Sequence, residues 1–154
     1  MPTREQKAEA FAALHVGEPF VIPNPWDAGS ARVLAALGFQ ALASTSSGFA
    51  YTLGRLDSQA TLDEVVAHAA ELDRATDLPV SVDLENGYGA DAEGVAEAVA
   101  RVAGAGAVGA SIEDYDPAGR LYERSEAVER VAAAVEAVRS LDTPFVLTAR
   151  AENH

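Results

Sequence analysis

Short apolar runs alternate with longer stretches of helical spacing along this chain, and that alternation restricts the folds open to it more than any other feature. The apolar runs at residues 20–26 (FVIPNPW), 41–44, 79–84 (PVSVDL), 107–112 and 144–149 (PFVLTA) predict five strands. The stretches at 3–16, 28–37, 61–76, 91–103 and 125–141 predict helices. Thr61 with Glu64 three residues on is a capping box, Gly38 is a helix stop, and a polar residue also caps the last helix. One strand and one helix every thirty or so residues imply parallel strands joined by right-handed crossovers. The strands are apolar on both faces, as expected of a sheet covered on both sides.

Two architectures satisfy this pattern, a closed barrel and an open doubly wound sheet. Ser44, Asp83, Glu113 and Arg150 each stand near the C-terminal end of a different strand. Those ends face one another across the mouth of a barrel, whereas an open sheet spreads them along an edge. The expectation is an α/β (β/α)₈ TIM-type barrel, of which residues 1–154 supply roughly the first five β/α units as a single partial domain. A complete barrel takes about 250 residues. The outer strands of this sector therefore need covering by further polypeptide or by another copy of the chain, and a homo-oligomer is expected.

The formal net charge of −13 disfavours nucleic acid and anionic membrane surfaces as partners. With no cysteine, disulfides, zinc–thiolate centres and thiol nucleophiles are excluded. No apolar run is long enough to span a bilayer, and the expected location is the cytoplasm. The one lysine, Lys7, is expected on the surface of the first helix, which argues against Schiff-base chemistry.

The candidate chemistry is acidic. Asp83 and Glu85 alternate at the end of the third strand, so period-two geometry puts them on one face. The turn Asn86–Gly87–Tyr88–Gly89 follows. Glu113 and Asp114 end the fourth strand, and Asp57 lies in the loop after the second. Converging carboxylates repel unless protons or a cation intervene, and oxygen donors of this kind suit Mg²⁺ or Mn²⁺. The same acids could equally be helix caps and solvated strand ends. Ser44, Thr45, Ser46, Ser47 and Gly48 form a small-residue loop whose N–H groups suit a carboxylate or oxyanion. Arg150 can hold a carboxylate in a bidentate pair, or form a salt bridge to the nearby acids. Trp26 and Tyr51 either line a pocket or simply pack, and Asp27 reads better as a helix cap than as a ligand. The G-x-G-x-x-G stretch at 104–109 follows a helix and enters a strand, the reverse of the dinucleotide-binding order, and reads as a tight turn. His15, His68 and His154 have no ligand spacing and receive no role.

Four segments in order, STSSGFAYTLGRLDS (44–58), VDLENGYG (82–89), SIEDYD (111–116) and TARAE (148–152), resemble the isocitrate lyase / phosphoenolpyruvate mutase superfamily over nearly the whole chain. The resemblance implies a barrel with Mg²⁺ at its mouth. Asp83 matches the acid that coordinates the metal most directly; Asp57, Glu85 and Glu113 match acids that hold it largely through water. Ser44, Thr45 and Ser46 match the segment that grips the carboxylate of an α-keto acid, and Arg150 matches the arginine opposite. Ser44 and Arg150 are thus the expected catalytic residues, with Ser44, Thr45, Ser46, Trp26 and Arg150 binding substrate. Members make or break C–C or P–C bonds in small α-keto or enol acids of the pyruvate, oxaloacetate or phosphonopyruvate type, through an enolate. Lyases of the family carry a K-x-C-G-H loop where this chain has DPAGRLY at 116–122, and Arg120 and Tyr122 are the polar side chains on offer there. That difference leaves a second reading open: a truncated, non-catalytic barrel fragment or assembly module.

Overall fold

A computed structural model describes residues 2–152. Its spine is a parallel sheet of four strands, β1 (Leu42–Ala43), β2 (Val80–Asp83), β3 (Gly109–Glu113) and β6 (Val146–Arg150), in the order β1-β2-β3-β6. Spatial order follows chain order without the reversal that marks a doubly wound sheet. The helices α1 (Arg4–Leu14), α2 (Ala28–Ala36), α3 (Ser46–Thr52), α4 (Leu62–Ala75), α5 (Ala92–Gly104) and α6 (Arg124–Arg139) intervene. Among them α2 packs on α4, α4 on α5, and α5 on α6. Successive helices lying side by side along successive strands make a sector of a barrel wall.

The strands bury alternate residues, as their apolar pattern requires: Val80, Val82, Leu84, Ala110 and Ile112 are almost completely inaccessible. They meet Val65 and Leu72 of α4 and Val95, Val99 and Val102 of α5 in one core. Each such side chain contributes on the order of 1.5–3 kcal/mol by leaving water. A smaller cluster of Ala8, Phe11, Ala41 and Val108 seats α1 beneath the starts of β1 and β3. That is the end of the sheet opposite Asp83 and Glu113.

Local signals explain most boundaries. Thr3, Asp27, Thr61 and Asp91 cap α1, α2, α4 and α5 through their side chains, and the Thr61–Glu64 capping box is present. At the 104–109 stretch a helix ends and a strand begins, with Gly106 at φ 110°, a conformation open to glycine.

Four expectations need correction, and one element, the hairpin at residues 115–121, adds to them. Residues 20–26 form no ladder, because Pro23 and Pro25 lack N–H donors, and Trp26 already lies in a bend; the segment is tied by the Ala43 N–H to the Pro23 carbonyl and by Asn24 Nδ2 to the Ala43 carbonyl. The serine-rich loop is not a loop beyond Thr45, whose hydroxyl caps α3. Helix α6 starts at Arg124, and its N-cap residue, Glu123, makes no side-chain cap bond. Residues 115–121 form a small antiparallel hairpin, β4 (Tyr115–Asp116) with β5 (Arg120–Leu121), pinned by an Asp116–Arg120 ion pair. Lastly, Lys7 is buried, at 4% exposure. Its ammonium donates to Asp73 Oδ1 at 2.7 Å and to the carbonyls of Asp73 and Thr76, which closes the C-terminal end of α4.

Candidate active site

A cavity of about 530 Å³ opens at the C-terminal ends of the strands. Its lining includes Ser44, Thr45, Ser46, Asp57, Asp83, Glu85, Glu113 and Arg150, so all but one of the expected metal and substrate residues meet there. The exception, Trp26, lies outside the lining; it is half exposed, makes an edge contact with Tyr51 and lies over Gly48. Asp27 caps α2, as expected. Of the histidines, His15 is the exposed C-cap of α1, His68 is buried on α4 against Phe49, and His154 lies outside the described residues.

Asp83 is the hub. Its Oδ2 accepts the Ser46 N–H at 3.1 Å, and Oδ1 accepts the Glu85 N–H at 3.2 Å. Its own N–H donates to Ser44 Oγ at 2.9 Å, so the Ser44 hydroxyl keeps its proton for another partner. Glu85 reaches the same cavity by a route other than strand pleating. β2 ends at Asp83, and the chain then turns through left-handed backbone at Glu85 (φ 47°), Gly87 and Tyr88 (φ 57°). Glu85 is buried and accepts a short hydrogen bond from the Tyr88 hydroxyl.

Arg150 projects from the end of β6 into this acidic group. Its Nη1 lies 3.7 Å from Asp83 Oδ1, and Nη2 lies 3.2 Å from Glu113 Oε2 and 2.7 Å from Glu152 Oε1. The salt-bridge reading of Arg150 is therefore realised. Burial disfavours its charge, but Asp83 and Glu113 outweigh that and hold its pKa above the ordinary arginine value. One guanidinium does not satisfy the surrounding acids. Burial raises the Glu113 pKa to about 7 despite Arg150, with repulsion from Asp83 adding to the shift. Burial likewise raises Glu85, against the Tyr88 hydrogen bond.

The donor set is all oxygen, which fits a hard cation that keeps part of its water shell. Among the described residues no group of three or more His, Cys, Asp or Glu side chains is gathered closely enough to hold a metal ion. A nearby cation would favour the charged forms of Glu85 and Glu113, opposing the upward shift that burial imposes on both. Ser111, Tyr115, Asn24 and Glu152 also line the cavity and were missed in the sequence. Ser111 was recoverable, since it stands two residues before Glu113 on the same face of β3. Asn24 was not, because its segment forms no ladder whose pleat would predict where its side chain points.

The sequence profile of the phosphoenolpyruvate phosphomutase family matches residues 11–154. The chain is 32% identical over 151 residues to 2-methylisocitrate lyase of Escherichia coli, an alignment that covers 92% of this chain and 50% of that enzyme. A solved structure from Burkholderia cenocepacia, described provisionally as a lyase/mutase, is 51% identical with a TM-score of 0.94, covering 97% of this chain and 55% of the other. Oxaloacetate acetylhydrolase, solved with its product oxalate, is 30% identical with a TM-score of 0.85, covering 97% and 53%. The chain thus spans about half the length of the curated relatives and solved structures it matches. No helix of the described residues is long and apolar enough to cross a membrane. The profile match over nearly the whole chain, the relatives among lyases and mutases and the shared TIM-barrel architecture place this chain in the phosphoenolpyruvate mutase / isocitrate lyase superfamily.

Proposed function

We propose that this chain carries the metal- and substrate-binding sector of a Mg²⁺-dependent enzyme that makes or breaks a C–C or P–C bond in a small α-keto or enol acid. One observation carries the reading: Asp83, Glu85, Glu113 and Arg150, from three strand ends and a turn, line a single cavity. Asp83 would hold Mg²⁺ (or Mn²⁺) directly, with Asp57, Glu85 and Glu113 acting largely through water. When bound, the ion supplies positive charge that stabilises an enolate oxygen. Arg150 takes the substrate carboxylate, for which its planar fork is suited, once its acidic partners have the cation to face. The Ser44 hydroxyl is fixed by the Asp83 N–H and donates to the reacting oxygen, while Thr45 and Ser46 position the carboxylate end. Names among the relatives, 2-methylisocitrate lyase and oxaloacetate acetylhydrolase, support acids of this size and type. A cytoplasmic homo-oligomer remains part of the proposal, testable by sedimentation.

Calorimetry of the whole chain with Mg²⁺ and oxalate, a mimic of the pyruvate enolate, tests the reading. Saturable oxalate binding that requires Mg²⁺ supports it; oxalate heat unaffected by chelator rejects it. Among the described residues no lysine, cysteine or histidine lines the cavity, and this favours a second reading, a barrel sector that binds ligand without turnover. Oxalate binding with no consumption of oxaloacetate or phosphonopyruvate would select that second reading.

A further inference from the structure

Behind the acidic cavity lies a buried cation that the proposed chemistry does not use. Arg130 of α6 is 4% exposed. Its Nη2 donates to the carbonyl of Asn86 at 2.9 Å and to that of Gly89 at 2.6 Å, so one guanidinium grips both ends of the turn that follows Glu85. The guanidinium also lies 4.5 Å from the ring centroid of Tyr122. The Tyr122 hydroxyl accepts from Asn86 Nδ2 at 2.7 Å, and Asn86 Oδ1 accepts the Tyr88 N–H at 3.0 Å. Gly89 is pressed against the backbone of Gly94 at the start of α5, where a Cβ would collide.

We propose that Arg130 and Tyr122 are positioning residues that hold the 85–89 turn in the shape that carries Glu85 into the cavity. Left-handed backbone at Glu85 and Tyr88 is unfavourable for residues with side chains and persists only where the surroundings over-determine it. The hydrogen bonds of Arg130 and the Asn86–Tyr122 contact provide that determination, from a helix and from the residue after the hairpin rather than from the turn itself. The hairpin β4–β5 is thereby tied to the acid-bearing turn, since Tyr122 follows β5 directly and its own N–H donates to the Asp114 carbonyl. The inference rests on the metal reading only for its effect on Mg²⁺; the ordering of the turn stands apart from it.

The test compares the whole wild-type chain with Tyr122→Phe, which keeps the ring, and with Arg130→Lys and Arg130→Met. Hydrogen exchange is read at the amides of Gly87, Tyr88 and Gly89, each of which has a hydrogen-bond partner. Tyr122→Phe should speed exchange there by about fivefold, the effect of losing one ordinary hydrogen bond, with β2 and β3 amides unchanged. Calorimetry with Mg²⁺ alone should show affinity lower by roughly tenfold, as for other partners that orient ligands. Arg130→Met should exceed both effects and Arg130→Lys should restore part of them. Unchanged exchange at 87–89 in Tyr122→Phe, or an equal rise across the sheet, overturns the proposal, and that variant decides alone if Arg130→Met does not fold. If wild type binds no Mg²⁺, the functional reading fails while exchange still decides this one.

Discussion

The Ser46 N–H donates to Asp83 Oδ2 across 3.1 Å, joining residues 37 positions apart in sequence. The first turn of α3 thus orients the carboxylate at the end of β2, which also accepts the Glu85 N–H. Two backbone donors, with the Ser111 hydroxyl a longer third at 3.5 Å, give the carboxylate a fixed direction, and fixed direction is what a metal-anchoring acid needs.

Asp83→Ala should weaken Mg²⁺ binding by at least roughly hundredfold, more than loss of an orienting partner does. Stability should fall by no more than about 2 kcal/mol, since the freed N–H groups border an open cavity. Calorimetry and a urea melt on the same sample separate the two effects.

Glu113 should make the metal-free protein less stable in base. Its folded pKa, about 7, lies above the ordinary 4.5, so the fold holds the proton more tightly than the unfolded chain does. The penalty is absent below pH 4.5, grows between 4.5 and 7, and is complete above 7. Glu113→Gln should therefore gain about 2 kcal/mol over wild type at pH 8 and nothing at pH 4.5. Paired melts across that range read the difference, and Mg²⁺ binding near pH 6.5 should release protons in buffer-dependent calorimetry.

His68 acts in the opposite sense. It is buried, stacks on Phe49 at 4.0 Å between ring centroids, and burial lowers its pKa to about 4 from 6.5. The unfolded chain takes the proton first, so its contribution is intact above pH 6.5 and is lost as pH falls from 6.5 toward 4. Replacing His68 with Leu should flatten the stability profile in that window, whatever it does to stability at pH 8. Urea midpoints at pH 5 and pH 7 check this.

Lys7→Met keeps the aliphatic stem and removes the ammonium. It strands the Asp73 carboxylate and two carbonyls at the end of α4, at a cost of about 3 kcal/mol. The melting temperature should fall by about 10 °C in a chain of this size.

The layout of the sheet was legible because strand runs and helix periods are local signals. Thr61 with Glu64 and Asp91 before an apolar stripe marked their helices correctly. The acids of the site were legible from their places at strand ends and from the likeness to a known family. What escaped was non-local. Lys7 looks like any helix-surface lysine until Asp73 and Thr76, far along the chain, converge on it. Glu85 was placed by pleat alternation, whereas a left-handed turn held by Arg130 delivers it. α3 was concealed because Ser, Ser and Gly are poor helix formers; the Thr45 cap and the buried Phe49 outweigh that propensity.

Because the strands run parallel in chain order, Asp83, Glu113 and Arg150 arrive on three successive segments, with the only positive member last. Should β6 fray, the carboxylates would face one another without their counterion. Oxalate capture would then report whether the final strand is seated, a readout of assembly as much as of chemistry.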